Sequence, residues 1–253
     1  MKVIGLIPAR YASTRLPGKP LRLIAGKPMI EHVFTRAQKA RYLSEVFVAT
    51  DDQRIKEKVE AFGGKAIMTS PHHQTGTDRL VEAVGYLNDL NQDDIIVNIQ
   101  GDEPLLEPEM VDELIKPFLD DEELVMSTLK SRITEEEEVN NVNVVKVATD
   151  RNGFALYFSR WPLPYNRNGI EVSYYKHIGL YAYRLDFLVK YTKLKQTPLE
   201  KAESLEQLRA LENGYRIKVV ETAFQTIGVD SEADLAKVEE IIRARSSRTG
   251  GKE

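Results

Sequence analysis

The first half of the chain is assembled from short, uniformly apolar runs rich in β-branched residues, each followed by an amphipathic stretch, as in Val3-Ile4-Gly5-Leu6-Ile7, Val46-Phe47-Val48-Ala49 and Ile95-Ile96-Val97. A strand that is apolar at every position has to be covered on both faces, which happens when helices pack above and below a parallel sheet. The sequence therefore predicts an α/β fold: a Rossmann-like, mostly parallel sheet flanked by helices. Strands are expected near residues 2–8, 45–50, 65–69, 94–99 and 124–130, with helices near 28–40, 52–62, 78–88 and 108–119. From about residue 143 the rhythm changes. Strand-like segments at 143–149, 153–160 and 174–184, the first two joined through Asp150-Arg151-Asn152-Gly153, predict a smaller, partly antiparallel section in the second half. Helices at 185–192 and 199–213, a strand at 215–221 and a helix at 231–245 complete the pattern.

With 253 residues and 42% hydrophobic content the chain can bury one core, so a single domain over 1–253 is expected, in parts 1–130, 131–215 and 216–245. The 39 acidic and 35 basic side chains are spread along the whole length, leaving no basic stripe for a nucleic-acid backbone. Cysteine is absent, so thiolate sites are excluded and any metal should be a hard cation held by oxygen. No apolar run reaches the roughly 20 residues of a membrane helix, and the start of the chain lacks signal-peptide features. The expected location is cytoplasmic, without membrane insertion.

The segment Pro8-Ala9-Arg10-Tyr11-Ala12-Ser13-Thr14-Arg15-Leu16-Pro17-Gly18-Lys19-Pro20 follows the first strand at its carboxyl end, where open α/β sheets place their ligands. Arg10, Arg15 and Lys19 suit a loop that wraps a triphosphate, although neither GxxxxGK[ST] nor GxGxxG occurs. On charge alone a solvated loop is an equal reading, and position favours the functional one. In Ser70–Arg79, Thr77 or Asp78 could cap the next helix, and Gly76 would permit close approach to a ligand. His72 and His73 are adjacent, which suits an exposed position better than a metal site. Asp102 leaves a buried strand in Gln100-Gly101-Asp102-Glu103-Pro104, and Asp230 precedes the last helix in Gly228-Val229-Asp230-Ser231. Taken singly, Asp102 reads as a turn residue and Asp230 as an N-cap. Together they could supply the one or two carboxylates that Mg2+ prefers. Arg160 could clamp a carboxylate and His177 could bond a hydroxyl, though each is more often structural.

These motifs together resemble the CMP-Kdo synthetase (3-deoxy-manno-octulosonate cytidylyltransferase) family of sugar nucleotidyltransferases. The likeness runs in order through Ile7–Arg10 with Leu16–Pro20, His73–Arg79, Gln100–Pro104, Ala155–Arg160, His177–Arg184, Ser204–Arg209 and Gly228–Asp230. The resemblance implies an enzyme that transfers CMP from CTP to the sugar acid Kdo with magnesium, serves lipopolysaccharide biosynthesis and works as a homodimer. It implies nucleotide contacts from Ala9, Arg10, Ser13, Arg15, Lys19, Gln74, Gly76, Thr77 and Gln100, and catalytic roles for Arg10, Lys19, Asp102 and Asp230. Asp102 and Asp230 would hold the metal. The acceptor would meet Arg79, Arg160, His177, Tyr181, Glu206 and Gln207. A related transferase of the CMP-sialic acid synthetase type, or a nucleotide-binding protein without turnover, are the alternatives.

Overall fold

The computed structural model of the chain describes residues 1–12, 16–73 and 75–249, with 246–249 as backbone alone. In chain order the elements are β1 (Val3–Ala9), a single 3-10 turn (Lys19–Leu21), β2 (Leu23–Ile24), β3 (Lys27–Pro28), α1 (Met29–Ala37), β4 (Glu45–Thr50), α2 (Gln53–Ala61), β5 (Ala66–Met68), α3 (Gly76–Gly85) and β6 (Ile95–Asn98). There follow α4 (Pro108–Ile115), α5 (Pro117–Asp120), β7 (Met126–Arg132), α6 (Glu136–Asn140), β8 (Lys146–Thr149), β9 (Ala155–Ser159) and β10 (Tyr175–Arg184). The chain closes with α7 (Leu185–Tyr191), α8 (Pro198–Glu203), α9 (Leu208–Glu212), β11 (Lys218–Glu221) and α10 (Glu232–Thr249).

The fold resolves into two compact units. The first comprises Met1–Asn91, Ile96–Val111 and the chain from Thr226 on, and the second comprises Gln92–Ile95 and Asp112–Gln225. In the first unit β6 neighbours β1, and β1 pairs in parallel with β4, which pairs in parallel with β5. Every residue of β6 and nearly every residue of β1 is buried, as the apolar runs require. Helix α1 turns Met29, Ile30, Val33, Phe34 and Ala37 inward, a stripe at helical spacing. In the second unit β11 lies parallel to β7, while β7–β10, β10–β8 and β8–β9 are antiparallel. The α/β architecture with a parallel sheet, flanking helices and a smaller antiparallel section is thus present.

Two expected helices are broken. The span 108–119 divides because Pro117, which has no N–H to donate, opens α5 as a new short helix. The span 199–213 divides at Ser204, whose left-handed conformation (φ 51°, ψ 49°) ends α8. The apolar spacing of Leu205, Leu208 and Leu211 is present in both a continuous and a broken helix, so the pattern could not tell them apart.

Candidate active site

The carboxyl end of β1 delivers Arg10, whose Nη2 donates to the Thr75 carbonyl at 3.0 Å. Across this edge Gly101 packs so closely that a Cβ there would lie 2.9 Å from the Pro8 carbonyl oxygen; only glycine lets the Gln100–Glu103 turn approach β1. Lys19 enters from the basic loop. That loop closes where the Gly18 N–H donates to the Tyr11 carbonyl at 3.1 Å, with Gly18 at φ 66° and its missing Cβ facing the Tyr11 ring at 3.2 Å. Arg54 stacks on the same ring, its guanidinium carbon 3.4 Å from the centroid.

Residues far apart in sequence meet here through apolar packing. Leu16, just before Lys19, and Val229, just before Asp230, are buried in one cluster with Met29, Leu105, Val238 and Ile242. The Val229 N–H also donates to the Asp102 carbonyl at 2.9 Å, joining the two acidic segments by their backbones. As a result Lys19 Nζ donates to Asp102 Oδ2 at 2.6 Å and to Asp230 Oδ1 at 3.0 Å. The Lys19 side chain is only 13% exposed, whereas those of Asp102 and Asp230 are 36% and 47% exposed, and both acids line the cleft. Burial works to lower the Lys19 pKa, but the two carboxylates outweigh it and raise it on balance. Burial also lowers Arg10, with the Arg79 charge adding to the effect. Glu103, enclosed beside the Asp102 carboxylate, is pushed up to about 8, chiefly by burial. It was not singled out in the sequence, since nothing local distinguishes a buried acid from an exposed one.

The cleft has a volume of about 370 Å³ and its wall includes Ala9, Arg10, Lys19, Gln100, Asp102 and Asp230. Six residues expected at one site are therefore brought together. Ser13, Arg15 and Gln74 lie outside the described residues. Gly76 begins α3, and among the described residues the nearest atom to a notional Cβ is on the Pro8 ring at 3.5 Å, so packing against them does not demand glycine there. The cap of α3 is Thr75, which accepts from the Asp78 N–H at 3.1 Å while Asp78 Oδ2 accepts from the Thr75 N–H at 3.2 Å. Thr77 is instead buried at 4% exposure, without the cap role or an open face. Arg79 is fully buried, donating to Asp51 at 2.7 Å and to Thr69 at 2.5 Å, and so presents no guanidinium face to an acceptor in this structure. Asp230 is not the cap of the last helix. Ser231 performs that task, its hydroxyl accepting from the Asp234 N–H, and the Asp230 carboxylate goes to Lys19.

The acceptor candidates other than Arg79 lie in the second unit. Arg160 directs its guanidinium to backbone: Nε donates to Glu203 O at 2.7 Å, Nη1 to Val142 O at 3.1 Å and Nη2 to Ser204 O at 3.4 Å. This arrangement fastens the β9 end to α8. His177 stacks edge-on against Phe158 and lies 5.4 Å from the Tyr181 ring, with Nε2 2.9 Å from the Thr128 hydroxyl. The same hydroxyl also lies within hydrogen-bonding reach of the Leu180 carbonyl at 2.8 Å and the Ile178 carbonyl at 3.1 Å. Gln207, just before α9, is 4% exposed with Nε2 enclosed. Glu206 stays partly exposed, its carbonyl accepting from the Tyr191 hydroxyl at 2.6 Å. Thr128, which orients His177, was missed; a strand threonine carries no signal of its own.

Burial pushes His177 down to about 3, so it is neutral in the folded chain at ordinary pH. A depressed folded pKa contributes stability that is present above the unfolded value near 6.5 and is lost as pH falls towards the folded one. Between pH 7 and pH 4, His177→Asn is expected to lose roughly 2 to 3 kcal/mol less stability than the parent chain. Urea titrations at the two pH values check it, and equal acid losses would refute it.

Residues 4–218 match the family model described as Cytidylyltransferase. The chain is 55% identical to the 3-deoxy-manno-octulosonate cytidylyltransferase of Geobacter metallireducens, over 95% of this chain and 97% of that protein. It is 52% identical to the 3-deoxy-manno-octulosonate cytidylyltransferase of Fusobacterium nucleatum, over 94% and 96%. Among solved structures it is similar to a CMP:2-keto-3-deoxy-manno-octonic acid synthetase complexed with CTP, with a TM-score of 0.92 and 47% identity over 97% of this chain and 100% of that one.

Proposed function

We propose, for a chain that belongs to the cytidylyltransferase family and within it to the 3-deoxy-manno-octulosonate cytidylyltransferases, a division of labour among its own residues. The enzyme transfers CMP from CTP to Kdo, forming CMP-Kdo and pyrophosphate. The acceptor hydroxyl attacks the α-phosphate in line, and catalysis then consists mainly of positioning and charge stabilisation. The observation that carries the residue assignment is the convergence of Asp102, Asp230 and Lys19 at one point of the cleft beside Arg10.

Arg10 and Lys19, both in the cleft wall, offset negative charge on the triphosphate. Asp102 and Asp230 fit a magnesium ion, since two part-exposed carboxylates already share one cation and such ions take one or two carboxylates together with phosphate oxygens. When bound, the ion supplies Lewis-acid stabilisation of charge on the reacting phosphates. Among the described residues no cluster of three or more metal-ligating side chains occurs, which suits a site completed by substrate and water. Ala9 and Gln100 line the nucleotide pocket, with Gly76 leaving room at the α3 start, and Ser13, Arg15 and Gln74 share the nucleotide. His177, Tyr181, Glu206 and Gln207 recognise the acceptor, with the neutral His177 imidazole bonding a sugar hydroxyl. No helix among the described residues is long and apolar enough to cross a membrane, and a cytoplasmic location belongs to the same reading. So does a homodimer, which would cover the exposed Trp161, Tyr165 and Ile170; sedimentation at the monomer mass would oppose it.

The test is pyrophosphate release across CTP, ATP, GTP and UTP, each with and without Kdo and with and without Mg2+. Release only when CTP, Kdo and Mg2+ are together is expected. Equal release with N-acetylneuraminate in place of Kdo would favour the sialic acid alternative, and CTP binding without release would favour a non-catalytic protein.

A further inference from the structure

Strand β10 carries two of the acceptor candidates, His177 and Tyr181, four positions apart. In an unbroken strand that separation holds two Cα atoms roughly 13 Å from each other. The rings nevertheless lie 5.4 Å apart, centroid to centroid. Pairing with β7 explains the approach. His177 pairs with Lys130 and Ile178 with Leu129, but the next pair is Tyr181 with Thr128, so one step along β7 is matched by three along β10 and Gly179 and Leu180 are taken up in a bulge. His177 and Tyr181 therefore stand opposite next-but-one residues of β7, on one face of the sheet. Bulges beside binding sites re-aim side chains in this way.

Thr128 sits where the register slips, and it is fully buried. Its Oγ1 lies 2.8 Å from the Leu180 carbonyl oxygen, 3.1 Å from that of Ile178 and 2.9 Å from Nε2 of His177. One hydroxyl thus spans the imidazole and both carbonyls of the bulge. It can meet Nε2 as donor or as acceptor, so the contact holds in either tautomer of the ring. No other hydrogen bond to the His177 ring occurs among the described residues, and Phe158 meets that ring edge-on at 5.0 Å. Nδ1 is thereby left to a ligand. Pairing along β7 makes no use of the hydroxyl, since any β-branched side chain suits a strand.

Resting on the reading of His177 and Tyr181 as acceptor residues, we infer that Thr128 is a positioning residue for Kdo: its hydroxyl pins the bulge that brings the two rings together and holds the imidazole by Nε2. Thr128 touches neither substrate, so its effect falls on acceptor affinity and not on the chemical step.

The test is a double-mutant cycle on the full chain, with Kdo varied at saturating CTP and Mg2+ and thermal melts alongside. Thr128→Val, which keeps the shape and removes the hydroxyl, is expected to raise the KM for Kdo about tenfold, with kcat within about threefold and the KM for CTP unchanged. Thr128→Ser, which restores the hydroxyl, should stay within about twofold of the parent. In the His177→Ala background Thr128→Val should cost at most about threefold, the part carried by Tyr181. If the two effects multiply in full, Thr128 acts independently of His177 and the inference is overturned while the site stands. A lower melting temperature with the KM for Kdo unchanged assigns Thr128 to the fold alone and overturns it as well. If His177→Ala leaves the KM for Kdo unchanged, the acceptor reading itself fails. Should Thr128→Val not fold, Thr128→Cys, whose thiol is only a weak donor, takes its place in the same cycle.

Discussion

Asp102→Asn is expected to slow pyrophosphate release from CTP and Kdo by roughly 10³-fold, equivalent to about 4 kcal/mol of transition-state stabilisation. The substitution preserves size and removes only the charge. Lys19 would keep Asp230 at 3.0 Å, but the second carboxylate at 2.6 Å would be replaced by a neutral amide. An amide oxygen is a weak ligand for a hard divalent ion, so the Mg2+ concentration giving half-maximal rate should rise together with the fall in kcat. Fold stability should hardly change, because Asp102 is 36% exposed and Lys19 keeps Asp230 as a partner. Single-turnover rates at several Mg2+ concentrations, with thermal melts alongside, separate these effects. A rate within tenfold of the parent and an unaltered Mg2+ dependence would remove Asp102 from the metal site.

The largest effect on stability is expected in the second unit, from Glu200→Gln or Arg209→Met. Arg209 Nε donates to Glu200 Oε2 at 2.8 Å and Nη2 to Oε1 at 2.5 Å, a bidentate pair with side chains 6% and 7% exposed. Hydrogen bonding to Arg209 outweighs burial and holds Glu200 below the usual carboxylate range, while Glu200 raises Arg209. Removing one member strands an uncompensated charge, which costs about 3–5 kcal/mol. At roughly 2–4 °C per kcal/mol for a chain of this size, the melting temperature should fall by roughly 10 °C. Replacing both residues with apolar side chains of similar volume should recover most of the loss, since the desolvation cost of the pair disappears with it. Calorimetry of the two single variants and the double variant decides the matter. A single-variant loss under about 1 kcal/mol would mean that water reaches the pair.

Much of the first unit was legible in the residues. Period and apolar content are local properties, and they locate β1, β4, β5 and β6 and the helices between them, because a run such as Ile95–Asn98 has to be covered wherever it is placed. Helix interruptions were less legible. Ser204 ends α8 by its backbone angle, and leucine spacing does not report an angle. Charged residues were the hardest to place, because a charge can be buried only where a partner meets it. Arg79 finds Asp51 from 28 positions away, and Arg160 finds carbonyls on Val142, Glu203 and Ser204.

The sequence by itself determined the α/β architecture and the resemblance that singles out Arg10, Lys19, Asp102 and Asp230, since both are carried by short segments read in order. Tertiary structure alone decided which carboxylates meet and which arginines stay at a surface. Asp230 reads equally well as a helix cap until Ser231 is seen to take that role, and Lys19, 211 positions away, becomes its neighbour only when Leu16 and Val229 pack into one apolar cluster. The physical reason is range: propensity acts over a few residues, whereas burial joins any two segments whose apolar side chains exclude water together.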